Sequence, residues 1–185
     1  DTLVYSLTFQ VSDFFAFNNV LVTDTLGDGL VFLPNSARLQ INGNGYILSS
    51  ATINNSNIVT TVNANGTTSL VFNVSAEQVT RGQTAQLIGG CINPAGSAAP
   101  DCSGYNDSLT QGVITFQATI SNAFRNRTPA LVELGDTLTN TVNIRGAVLN
   151  TGTFAPTGNS VTDSSSANVT IVQPNLQKVV YAING

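Results

Sequence analysis

The stretch NNVLVTDTL, residues 18–26, decides the class of fold. It is short, rich in valine and threonine, and has a period of two, which marks a half-buried β-strand rather than a helix. The same pattern recurs on both sides. LVYSLTFQV (3–11) precedes it, and ARLQI (37–41), YILSSATI (46–53), NIVTTV (57–62) and SLVFNVS (69–75) follow, divided by the turn sequences NGNG, NNS and NANGTT. GVITFQATIS (112–121), TLTNTVNIRGAVL (137–149), SANVTIVQ (166–173) and LQKVVYAI (176–183) complete the series. The only helical signal is SAEQVTRG, residues 75–82, with Ser75 as the expected cap and Glu77 in the first turn. Without helices to cross over between strands, parallel βαβ units are excluded. The expectation is an all-β, immunoglobulin-like antiparallel β-sandwich.

The length of 185 residues suits one such domain. Residues 1–173 are read as the sandwich, and 174–185 as a terminal strand that links to, or is donated to, the next unit. The polar segment NTGTFAPTGNSVTDSSS (150–166) is expected to be a long surface connection. No run of about 18 apolar residues occurs, so no membrane-spanning segment is expected, and the first residues do not read as a signal peptide.

Charge and composition narrow the function. Charged residues make up 9% of the chain and the net charge is -4, so there is no basic face for nucleic acid. Histidine is absent, which removes the commonest general base and the commonest metal ligand together. Serine and threonine are plentiful, but a hydroxyl nucleophile needs a base to activate it. The chain is therefore expected not to be an enzyme, and no cofactor is expected.

Cys91 and Cys102 bracket CINPAGSAAPDC, a loop of small and turn-forming residues able to bring the two thiols together. A disulfide there implies an oxidising compartment, hence a secreted or surface-displayed protein; two free thiols are the alternative. Asp24 and Asp28 in DTLGDGL invite a calcium reading, but the EF-hand spacing is missing and a β-turn explains the same residues, so no metal site is expected. Asn54, Asn65, Asn73, Asn106, Asn126 and Asn168 stand in glycosylation sequons, which arise readily in a chain this rich in Asn and Thr. Phe14, Phe15 and Phe17 form an aromatic cluster, read as core packing or a staple against a neighbouring domain.

Three stretches together resemble a known family. VYSLTFQVSDFFAFNNVLVTDTLGDGLVF (4–32), ELGDTLTNTVNI (133–144) and PNLQKVV (174–180) are similar to the opening, late and lysine-bearing strands of fimbrial isopeptide-forming (D2-type) and related DUF11-like bacterial adhesin repeats. The resemblance implies an extracellular immunoglobulin-like module of a fimbria, filament or adhesin stalk. It also implies a Lys–Asn isopeptide bond assisted by a buried acid, with Lys178 as amine, Asn140 as acceptor and Asp24 as the carboxyl. In the family the lysine strand comes first, whereas here LQKVV comes last. Either that strand belongs to a following repeat, or it is donated to a neighbouring copy, with Leu176, Lys178, Val179, Val180 and Tyr181 as the donated residues. The plainer reading of the same residues is an exposed edge charge at Lys178, a strand-end amide at Asn140, and at Asp24 a turn or hydrogen-bonding residue beside Gly27. The expected partners are copies of the chain or adjacent repeats in a fibre. A receptor- or carbohydrate-binding adhesin module, with its site in the loops 91–102 or 150–166, is the alternative.

Overall fold

The computed structural model describes residues 1–43, 46–89, 109–127 and 130–172. Among the described residues eleven strands form two antiparallel sheets, so the architecture is an all-β, immunoglobulin-like sandwich. One sheet runs β1 (Thr2–Val11), β9 (Thr110–Ile120), β4 (Arg38–Gly43), β5 (Tyr46–Thr52), with β3 (Leu30–Phe32) also on β9. The other runs β11 (Pro156–Thr170), β10 (Thr137–Leu149), β2 (Ala16–Leu26), β7 (Thr68–Asn73), β6 (Ile58–Val62), with β8 (Leu87–Ile88) on β2. Inward-facing residues of both sheets make the core, among them Leu26, Leu39, Ile41, Leu70, Phe72, Ile114 and Phe116, all buried. Phe116 is its aromatic centre, stacked on Tyr5 at 5.0 Å and packed on Phe72 at 5.6 Å.

The polar segment 150–166 is not a loop, which corrects the expectation drawn from its composition. Asn150 closes a tight turn, its side-chain oxygen accepting from the N–H groups of Gly152 and Thr153 at 2.9 and 3.0 Å. The chain then becomes β11, paired in register with β10 from Ala147↔Ser160 to Thr137↔Thr170. β11 ends its sheet and is exposed almost throughout. A strand wet on both faces has no apolar set to alternate, and main-chain pairing with β10, helped by hydroxyl bonds such as Thr157 Oγ1 to the Val148 carbonyl, forms it.

The helix expected at 75–82 is α1, Val74–Thr80. Its cap is Asn73, which accepts from Ala76 N–H at 2.9 Å, and not Ser75. Ser75 is buried and its hydroxyl accepts from Val20 N–H, docking the helix on β2. Asn54 caps the single 3-10 turn Asn55–Asn57 in the same way, so two sequon asparagines spend their side chains on the fold.

These two short helical pieces close one side of the sandwich, between the edges β5 and β6. Glu77 accepts from Asn54 N–H, Asn57 Nδ2 and Arg81 Nε, and the Arg81 guanidinium donates to the carbonyls of Leu39, Ser49 and Ala51. Among the described residues the opposite side, between the edges β1 and β11, has no such closure.

Candidate functional site

The open side is a groove of about 650 Å³ between β1 and β11. The residues that line it include Leu7, Phe9, Val20, Val142 and Ile144, an apolar set, with the small residues Ser165 and Ala167 of β11 on its outer wall. The reason for the opening lies in the strand count. Along their continuous paths among the described residues, the β10 sheet has five strands and the β1 sheet four. Tyr5, Leu7 and Phe9, the inward residues of β1, stay only half-buried in consequence.

Asn140 lies at one end of the groove. It sits on β10, in phase with the buried Leu138, and is 5% exposed. Asp24 sits on β2, in phase with the buried Val22 and Leu26, and is 0% exposed. The β2–β10 register pairs Asp24 with Val142 and Leu26 with Asn140, so the two side chains are diagonal neighbours on the inner face. Asn140 Nδ2 donates to Asp24 Oδ2 at 3.0 Å. Burial pushes the Asp24 carboxyl up to about 7, and the bond from Asn140 only moderates this. The turn reading of Asp24 is thereby corrected: it is a mid-strand residue facing the core.

Three buried polar atoms here have no partner among the described residues: Asp24 Oδ1, Asn140 Oδ1 and the Tyr5 hydroxyl. Buried oxygens are normally satisfied by protein or by water, so this set stands out beside the groove. Tyr5 belongs to this set because burial, and then the neighbouring Asp24 charge, push its phenol up to about 12. Sequence reasoning missed Tyr5. Its signal was the phase of Leu3, Tyr5, Leu7 and Phe9, which places a hydroxyl on an otherwise apolar inner face.

The remaining expectations separate. Asp28 lies in the turn after β2 and accepts from the N–H groups of Gly29, Arg125 and Asn126 at 2.9, 2.7 and 2.9 Å. Partial burial pushes its carboxyl up, but these donors and the Arg125 charge outweigh it and leave the group below its ordinary value. Asp28 is a loop staple, committed to backbone. Among the described residues no three acidic, histidine or cysteine side chains converge on a cation position. Phe17 packs against the core, while Phe14 and Phe15 project from the turn between β1 and β2. Cys91 and Cys102, the loop 91–102, Asn106, and Leu176, Lys178, Val179, Val180 and Tyr181 lie outside the described residues, as does the whole of 174–185. Among the described residues no helix is long and apolar enough to cross a membrane.

No protein-family model matches the chain, and no curated protein matches it in sequence. Among solved structures it is similar to the collagen-binding subdomain of the Enterococcus faecalis surface protein ACE, at 10% identity and a TM-score of 0.47, over 91% of this chain and 87% of that one. It is also similar to the collagen-binding domain of the Erysipelothrix rhusiopathiae surface protein RspB, at 16% identity and 0.47, covering 91% and 41% of the two chains. A third likeness is to the pilus backbone RrgB from Streptococcus pneumoniae, at 9% and 0.44, covering 94% and 42%. The chain spans about four tenths of the latter two proteins. Likeness at this level identifies neither a family nor a function.

Proposed function

We propose that this chain is a structural unit of an extracellular fibre or adhesin stalk, which receives a lysine-bearing strand from a neighbouring unit in its open groove and becomes linked to it through Asn140. The observation that carries this reading is the trio of buried atoms without a partner among the described residues, Asp24 Oδ1, Asn140 Oδ1 and the Tyr5 hydroxyl, the last two on residues that line the groove. A lysine ammonium has three N–H donors and no acceptor, which matches three oxygens awaiting donors.

The dimensions fit a strand added to the free edge of β1. Such a strand faces β10 across the sandwich, roughly 10 Å away, a gap that lysine and asparagine side chains together can span. In NLQKVVYAING the alternation places Leu176, Val180 and Ala182 on the same face as Lys178. The lysine therefore enters flanked by apolar side chains, as the lining of the groove requires.

The chemistry follows from the same residues. Buried beside Asp24, the ammonium passes a proton to the carboxylate, which holds it because its affinity for protons is raised. The neutral Nζ attacks Cγ of Asn140, whose Nδ2 already lies against the Asp24 carboxyl at 3.0 Å. Asp24 then delivers a proton to the departing Nδ2, the C–N bond of the carboxamide breaks, and ammonia leaves as the new amide forms. Amine and carboxamide give substituted amide and ammonia, with no oxidant and no cofactor.

The test uses the full chain carrying Lys178→Ala as acceptor and a synthetic peptide of residues 174–185 as donor. The expected adduct weighs the sum of the two less about 17 Da, one ammonia, and an Asp24→Ala acceptor binds the peptide without linking to it. A peptide that fails to bind refutes strand capture; one that binds indefinitely without losing ammonia refutes the bond.

A further inference from the structure

The two ends of the sandwich carry separate apolar patches that the groove does not use. At one end, the turn between β1 and β2 exposes Phe14 at 70% and Phe15 at 49%. Leu109, 46% exposed, lies beside them, since the next residue, Thr110, pairs with Val11 just before that turn. At the other end, the loop before β10 exposes Leu131 at 58% and Leu134 at 63%, and Val172 at 75% follows β11. Gly135 N–H bonds to the carbonyl of Ile171, so Leu134 and Val172 are neighbours. Each end thus presents three large apolar side chains to water, and the strands between run the full length of the domain. Scattered apolar residues on a surface are ordinary, but two clusters at opposite ends of an elongated unit are the form of a head-to-tail contact.

We infer that successive copies stack end to end, with Phe14, Phe15 and Leu109 of one copy seated on Leu131, Leu134 and Val172 of the next. The length of chain beyond the described residues points to the same occupant, a clause that rests on the proposed strand capture. Val172 and Lys178 are six residues apart in sequence. In the groove, Asn140 and Gly146, toward the Phe14 end, are also six apart on β10, roughly 20 Å in either case. Lys178 of a donor reaches Asn140 of an acceptor when the donor's Val172 stands at the acceptor's Phe14 end. That is the position the two apolar patches require.

The stack is heterologous, because the two surfaces differ, and this gives a test independent of the covalent step. Sedimentation is measured on the full chain carrying Lys178→Ala, so that no bond forms, with Phe14→Ser/Phe15→Ser in one variant and Leu131→Ser/Leu134→Ser in another. All six residues are exposed, so both variants should keep the parent's thermal unfolding, which circular dichroism checks. Each variant alone should lose self-association at least tenfold. An equimolar mixture should associate more tightly than either variant alone, since it restores one intact pair of ends. Self-association of either variant at the parent's strength, or a parent that does not associate, overturns the stack. Peptide capture at the groove is scored by mass on the same variants, so a failed stack and a failed groove read differently.

Discussion

Replacing Asp24 by asparagine should abolish a pH dependence of stability that runs opposite to the usual one for a carboxylate. The parent for this comparison is the Lys178→Ala chain, in which no amine enters the groove. Asp24 titrates at about 7 in the folded chain against 3.8 as its ordinary value. Between about pH 4 and pH 7 the native state therefore holds a proton that the unfolded chain has released. The difference in bound protons makes stability fall as pH rises through this window and level off above it. At 1.36 kcal/mol per pH unit, the gap is at most about 4 kcal/mol at pH 8. Asp28, whose carboxyl is held below its ordinary value, acts in the opposite sense, adding stability above that value and losing it as pH falls below about 4. The two windows do not overlap. Asparagine at position 24 keeps an acceptor for Asn140 Nδ2 and has nothing to titrate. Guanidinium unfolding from about pH 4 to about pH 8 should show the parent losing stability and Asp24→Asn flat, with the variant the more stable at the alkaline end. A parent whose stability rises across the window, or two chains with the same slope, refutes the assignment of a neutral buried carboxyl.

Other substitutions probe the frame around the site. Glu77→Ala leaves the partly buried Arg81 charge and two N–H donors without their acceptor and should cost about 3 kcal/mol or more in chemical denaturation, whereas a loss under about 1 kcal/mol would mean that side of the sandwich is not latched there. Phe116→Ala removes the ring at the centre of the core and should cost about 3–5 kcal/mol, read the same way. Gly112→Ala places a Cβ 2.0 Å from the Phe9 ring in the groove wall, so it should weaken capture of the 174–185 peptide more than it lowers thermal stability; unchanged capture would show that Phe9 is free to move aside.

How far the sequence revealed these features depended on burial. β2 and β9 announced themselves because one face of each is packed, and packing enforces the two-residue period. Most of β11 was invisible for the converse reason: its last residues fell within SANVTIVQ, but PTGNSVTDSS is exposed on both faces and carries no apolar alternation to detect. Asp24 and Asn140 were picked out through family resemblance, yet the phase was there to be read. Each stands where the pattern demands an apolar residue, between Val22 and Leu26 or beside Leu138. What no sequence pattern supplied was the groove between β1 and β11, because a side left open among the described residues becomes apparent only once both sheets are ordered.

Intact mass and denaturing electrophoresis of the native chain, beside Lys178→Ala and Asn140→Ala, bear most directly on the proposal. Linkage through the groove predicts species that survive boiling, each lighter by about 17 Da per link than the sum of its chains, and absent from both variants. Separate chains of full mass, or links that persist without Lys178 or without Asn140, would contradict it.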